Sequence, residues 1–145
     1  LKEDAAWPRA AAWLKADAGA KADLALLGVP ANLTSISATG ANATPDAIRQ
    51  ALLRYSLQSS AGSIESISAI DAGNIDDPDH NEAVTIAKVA ELTTRTELVV
   101  ALGGDNSVTY ATALGAFGDQ LAQAGLITFD AHHDIRHGSE IDEAF

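Results

Sequence analysis

Short continuous apolar runs, separated by helical patterns, constrain this chain more than any other feature. Asp23–Val29, Leu98–Leu102 and Leu126–Phe129 are apolar at successive positions rather than at alternate ones. A strand with one wet face alternates, whereas a strand covered on both faces does not. Strands of this kind alternating with helices specify a parallel sheet with helices on both sides. The expected fold class is therefore α/β, a three-layer α/β/α sandwich with a mostly parallel sheet.

The order of elements follows from local signals. Asp4 to Ala18 reads as a helix, with Pro8 in its first turn and Gly19 just beyond its end. After the first strand, Pro30 to Thr44 is a loop rich in Ala, Asn, Thr, Ser and Gly. Its length exceeds an ordinary strand-to-helix connection, and long connections in compact domains are usually functional or disordered. On that ground Asn32 to Thr39 could line a pocket. Thr44-Pro45-Asp46 opens a second helix with a capping hydroxyl, a proline and an acid. Its expected apolar face is Ala47, Ile48, Ala51, Leu52 and Tyr55. Residues 64–70 read as a second strand that closes in the turn Asp71–Asn74. Asp76, Asp77 and Asp79 read as a helix-start cluster, ahead of a helix over 81–94 with Ala83, Ile86, Ala87 and Ala90 inward. Leu98–Leu102 is the third strand, a helix starts near Ser107, and Leu126–Phe129 is the fourth strand.

Composition narrows the class of protein. The 145 residues are 47% apolar and 20% charged, which suits one globular domain. A net charge of −11 disfavours nucleic acid as a partner, because phosphate binding wants a basic face. No apolar run approaches the length of a membrane span, so no membrane partner is expected. The first residues lack a secretory pattern, and the absence of cysteine excludes disulfides and thiolate metal sites. A cytoplasmic setting fits these features.

Chemistry concentrates where strands run out, which is where ligands bind in sheets of this type. Gly103-Gly104-Asp105-Asn106-Ser107 joins a buried strand to a helix start. The plain reading is a well-made turn, with Asp105 or Ser107 capping the helix. No lysine or nucleotide fingerprint accompanies these glycines. Asp130-Ala-His-His-Asp134 is more specific. Asp130, His132 and Asp134 stand at alternate positions, so an extended chain faces them the same way. Buried carboxylates demand compensation, and carboxylate with imidazole suits Mn²⁺, Zn²⁺ or Fe²⁺ better than Ca²⁺ or Mg²⁺. His133 then faces away, in a supporting or surface role. His137 reads as a proton shuttle or as a solvated loop residue, and His80 as a surface residue.

Gly103-Gly-Asp-Asn-Ser-Val-Thr-Tyr110 and Phe129-Asp-Ala-His-His-Asp-Ile-Arg136 resemble two signatures of the arginase/agmatinase (ureohydrolase) family. Leu27-Gly-Val-Pro30, Thr44–Arg49 and Ile70–Asn74 resemble that family's opening elements in order and spacing. Trp7-Pro-Arg9, Trp13 and the doubled His132-His133 are most similar to its formimidoylglutamase branch. The resemblance implies an arginase-like fold, with residues 1–145 as the N-terminal portion of a single ureohydrolase-like α/β domain. It implies hydrolysis of a C–N bond in a small amidine or guanidine substrate, by water bridged between two Mn²⁺ ions. N-formimidoyl-L-glutamate, yielding glutamate and formamide, is the implied substrate; agmatinase, arginase or guanidinobutyrase activity is the alternative. By the same resemblance Asp130 bridges both metals and is catalytic, with His137 as a second candidate catalytic residue. His132 binds one metal, Asp134 the other, and Asp105 and His133 support the ligands from behind. A truncated sheet would in addition expose an apolar strand edge, so a homo-oligomer is expected.

Two departures from the family pattern bear on that expectation. The first signature normally ends in a metal-binding histidine, and Asn106 stands there. An amide oxygen is a weaker donor than imidazole, so the metal served by Asp134 is expected to be held loosely. Some formimidoylglutamase-like sequences share this asparagine. The family's third signature, a later strand with two more metal-binding aspartates, has no counterpart here. The chain is thus expected to be truncated relative to that family, and a non-catalytic fragment is the reading from outside enzymology.

Overall fold

The computed structural model describes residues 7–131. In chain order these form α1 (Ala10–Trp13), β1 (Lys15–Ala16), β2 (Ala22–Val29), α2 (Thr44–Leu52), β3 (Gln58–Ser59), β4 (Gly62–Ser63), β5 (Ala69–Asn74), α3 (Glu82–Thr93), β6 (Thr96–Gly103) and α4 (Val108–Phe117), with 3-10 turns at Ala41–Ala43 and Gly118–Gln123. Four strands make one parallel sheet in the order β1-β5-β2-β6, and β3 and β4 form a small antiparallel hairpin apart from it.

The inner position of β2 follows from its sequence. Ala25 to Val29 are buried without a break, as an inner strand of a parallel sheet requires. Leu27 and Val29 join Ile70 of β5, Val89 and Leu92 of α3 and Val108 of α4 in the core. The connection from β2 to β5 crosses the sheet one way and that from β5 to β6 crosses back. Right-handed crossovers therefore send α2 and α3 to opposite faces. The sandwich expected from the sequence is present in that arrangement.

Several local expectations are corrected. The helix expected over Asp4–Ala18 is reduced, among the described residues, to Ala10–Trp13. Lys15 and Ala16 instead pair with Ile70 and Asp71 of β5, and the indole of Trp13 donates to the Ile67 carbonyl at 2.6 Å. A sheet edge offers this stretch better hydrogen bonds than another helical turn. The second strand is not 64–70 but Ala69–Asn74. Residues 64–67 close a turn, with the Ile67 amide 3.0 Å from the Ile64 carbonyl. Ser68 gives its amide and hydroxyl to Asp23 at 2.7 and 2.8 Å, so pairing begins one residue later.

The helix faces also differ from expectation. In α3 the buried side is Thr85, Val89 and Leu92, while Ala83, Ala87 and Ala90 are exposed. Val89 and Leu92 join the core, and these three alanines do not. In α2, Pro45 is buried, but Ala47 is exposed and Tyr55 lies beyond the helix on the surface. Arg49 occupies part of the inner side because it has a partner there.

That partner is the end of β5. The register between β2 and β5 slips between Leu26 and Gly28, where Gly73 takes a positive φ of 76°. A bulge with glycine in this conformation re-aims the side chains around it. Asp71 and Asn74, which strict alternation would send to opposite faces, both meet Arg49. Its guanidinium donates to both Asp71 oxygens at 2.8 and 2.7 Å, to Asn74 Oδ1 at 2.5 Å and to the Gly73 carbonyl at 3.0 Å. The stretch 71–74, expected as a turn, is thus the bulged end of a strand.

The fourth strand, expected at Leu126–Phe129, is not formed. Leu126, Ile127 and Phe129 are 76%, 83% and 99% exposed. An apolar run becomes a strand when it finds a ladder and cover on both faces. The described residues offer it neither.

Candidate functional site

Three loops leave the carboxyl end of the sheet side by side: 30–40 after β2, 75–81 after β5 and 104–107 after β6. Their backbones are tied together. The Ile75 amide donates to the Gly28 carbonyl at 2.8 Å, and the Asp105 amide donates to the Ala31 carbonyl at 3.0 Å. Gly104 makes the second tie possible. Its φ is +46°, and a Cβ there would stand 2.6 Å from the Ala31 oxygen and 2.7 Å from the Ala31 nitrogen. A left-handed conformation pressed against backbone admits only glycine.

Asp105 is the hub of this region. One carboxylate oxygen accepts the Ser107 amide at 3.1 Å and its hydroxyl at 2.5 Å. The other accepts the Thr34 amide at 3.1 Å and its hydroxyl at 2.8 Å. Burial pushes the Asp105 carboxyl up, but the bonds from Ser107 and Thr34 outweigh it and hold the group below the usual carboxylate range. In the described structure Asp105 supports two loop segments. Ser107 stands at the N-cap of α4 without a side-chain capping bond, so the cap expected from Asp105 or Ser107 is not formed and Asp105 instead closes the turn just before the helix.

Asp79 was hidden in the sequence among the acids of 76–79. It does not serve a helix start. Its carboxylate accepts the Asn32 amide at 3.0 and 3.1 Å and the Leu33 amide at 3.1 Å. Asp77 is the residue of that cluster that stays local. It has a positive φ of 49°, and its side chain meets the His80 ring at 2.6 Å. That contact raises the His80 pKa above its ordinary value, and the histidine is a surface residue as expected. An available signal for Asp79 was the composition of its target. Residues 30–45 contain no charge, so their amides need an acceptor from elsewhere.

The metal-ligand candidates divide into two groups. Asn106 lies exposed in the turn after β6 and Asp130 lies exposed near the end of the described residues. His132, His133, Asp134 and His137 fall outside the described residues. Among the described residues no group of three or more His, Cys, Asp or Glu is gathered as a metal site. An amide and a carboxylate are oxygen donors of the kind a hard divalent cation accepts. The donors therefore fit manganese in kind.

A second polar site lies at the opposite, amino end of the sheet. There Arg95 bonds Asp17 at 2.6 Å and also pairs with Glu91. The Arg95 bond, with that from the Gly19 amide, holds the Asp17 carboxyl below its ordinary range. Every group in this network is matched by an opposite charge, so it reads as structural.

Comparison with known proteins extends the picture. The family model described as "Arginase family" matches residues 22–144. The formimidoylglutamase of Bacillus subtilis (strain 168) is 37% identical over 123 residues, covering 78% of this chain and 38% of that protein. The formimidoylglutamase of Halobacterium salinarum is 33% identical over 119 residues, covering 79% and 38%. The crystal structure of formimidoylglutamase from B. subtilis superposes with a TM-score of 0.79 at 30% identity, over 94% of this chain and 46% of that one. Trypanosoma cruzi formiminoglutamase, solved with Mn²⁺, shares the fold with a TM-score of 0.74 at 23% identity, over 95% of this chain and 50% of that one. The chain spans well under half the length of the relatives it matches.

Proposed function

The chain belongs to the arginase family, and from that premise we propose that it is the N-terminal portion, residues 1–145, of a manganese-dependent formimidoylglutamase-like hydrolase. The substrate of this reading is N-formimidoyl-L-glutamate, cleaved at the C–N bond of the formimino group. The observation that carries it is the sequence identity to formimidoylglutamases from separate organisms over more than three quarters of the chain.

In this reading Asp130, His132 and Asp134 would hold manganese, with Asn106 as a weak fourth donor. Bound there, the metal supplies Lewis-acid activation of water toward the formimino carbon. Asp105 and Gly104 keep Asn106 at the carboxyl end of β6 by tying its turn to Ala31 and Thr34. The substrate is a small amidine or guanidine. His137 would serve as a proton carrier and His133 as an outer support of the ligand strand. A homo-oligomer belongs to the proposal too.

The test is hydrolysis with Mn²⁺, by the full-length protein to which residues 1–145 belong, of N-formimidoyl-L-glutamate, agmatine, arginine and 4-guanidinobutyrate in parallel. Release of formamide from the first supports the proposal. Preference for one of the guanidines moves the chain to another branch. Asn106, in a position where the family carries histidine, favours one further reading, a non-catalytic relative. Inactivity together with failure to bind Mn²⁺ would establish it.

A further inference from the structure

Loop 30–44 is uncharged, rich in hydroxyls, and longer than the connection from β2 to α2 requires. A loop of that composition has no apolar anchor strong enough to fix its shape, yet its backbone is held at consecutive amides. Asn32 and Leu33 donate to Asp79, and Thr34 donates to Asp105. The carboxylates come from two different loops, one after β5 and one after β6. Asn32 then continues the construction with its own side chain. Its Oδ1 accepts the Ala41 amide at 3.0 Å and the Thr39 hydroxyl at 3.3 Å. The base of the loop is thereby closed on itself, and Ser35 to Ala38 form its tip.

We propose that Asp79 and Asp105 are positioning residues that set residues 32–41 as a preformed wall beside the 104–107 turn, and that this wall reads the end of the substrate remote from the scissile C–N bond. The substrate part rests on the hydrolase reading above. The chemistry favours it. Carboxylates that accept consecutive backbone amides fix dihedral angles, and ordering a wall before binding removes an entropy cost that the substrate would otherwise bear. With the amides of Asn32, Leu33 and Thr34 engaged and the Thr39 hydroxyl held by Asn32, the wall presents the hydroxyls of Ser35 and Ser37, neutral groups suited to orienting a polar amino-acid end by hydrogen bonds. Two acidic clamps, rather than one, also make the loop's position depend on both neighbouring turns.

Asp79→Asn is the informative variant, because it lies away from the metal-ligand candidates. It keeps the side-chain size but leaves one good acceptor where two amides converge. Amide hydrogen exchange at Asn32 and Leu33 is expected to quicken by about tenfold, with β2 and α3 unaffected. In steady-state assays with Mn²⁺ and the substrate that the protein hydrolyses, KM is expected to rise by about fivefold with kcat held within about twofold, the signature of lost binding rather than lost chemistry. Thr34→Val should quicken exchange at Thr34, and Thr34→Ser, which keeps the hydroxyl to Asp105, should restore it. Unchanged exchange in Asp79→Asn overturns the clamp. Faster exchange with unchanged KM overturns the substrate-reading role. A wild-type protein that hydrolyses none of the four substrates refutes the hydrolase reading and the wall's substrate role together, while the exchange data still decide the clamp.

Discussion

Arg49 shows how much one side chain decides in this fold. It joins α2 to the bulged end of β5 through bonds to Asp71, Asn74 and Gly73. Burial pushes the Asp71 carboxyl up, but the guanidinium outweighs it and holds the group below the usual range. Arg49→Met keeps the stem and strands the half-buried carboxylate. The expected cost is about 2 kcal/mol, read as a lowered urea midpoint with an unchanged slope. Asp17, Glu91 and Asp105 are depressed as well. A carboxylate lowered in the folded state binds fewer protons there than in the unfolded chain. Its stabilisation is complete above the unfolded value, near 3.8 for aspartate, and is lost as pH falls through the lower folded value. Urea midpoints should therefore hold steady from pH 7 to about 5 and fall steeply toward pH 3. Asn106 is the residue where chemistry and family pattern disagree. Asn106→His replaces an amide oxygen by imidazole, and Mn²⁺ binding should tighten by about tenfold in isothermal titration. Unaltered affinity would remove that position from the ligand set.

At the level of elements, the sequence spoke clearly where burial is symmetric and poorly where a partner is distant. β2 was legible because a strand covered on both faces is apolar at every position. The start of α2 was legible because Pro45 and Asp46 act locally in its first turn, although Thr44 lies inside the helix and makes no capping bond. The register of β5 was not, because it depends on Ser68 meeting Asp23 and on a glycine bulge facing Arg49, contacts between residues far apart in the chain. The inward face of α3 was misread because alanines mark a helix without saying which side is covered. At the site, the 103–107 turn was found from its glycines and its place after a strand. Asp79 was not, since an acid beside a helix start has a ready local explanation. Its actual targets lie in a loop 46–47 residues away.

For the molecule as a whole, β6 is the informative boundary. Its sequence is as apolar as that of an inner strand, yet it stands at the end of the sheet among the described residues, with Leu98 54% exposed. An apolar strand edge seeks another strand. This chain is expected to self-associate, and Leu98→Lys, which places a charge on that edge, should shift it toward monomer in light scattering. A wild-type monomer at high concentration would contradict that expectation. The most direct measurement of the central claim is an anomalous difference map at the manganese edge, from crystals of the protein grown with Mn²⁺. The account predicts a peak bonded to Asp130, His132 and Asp134 beyond the carboxyl end of the sheet. A map without density there, while those side chains bond to backbone amides or face solvent, contradicts it.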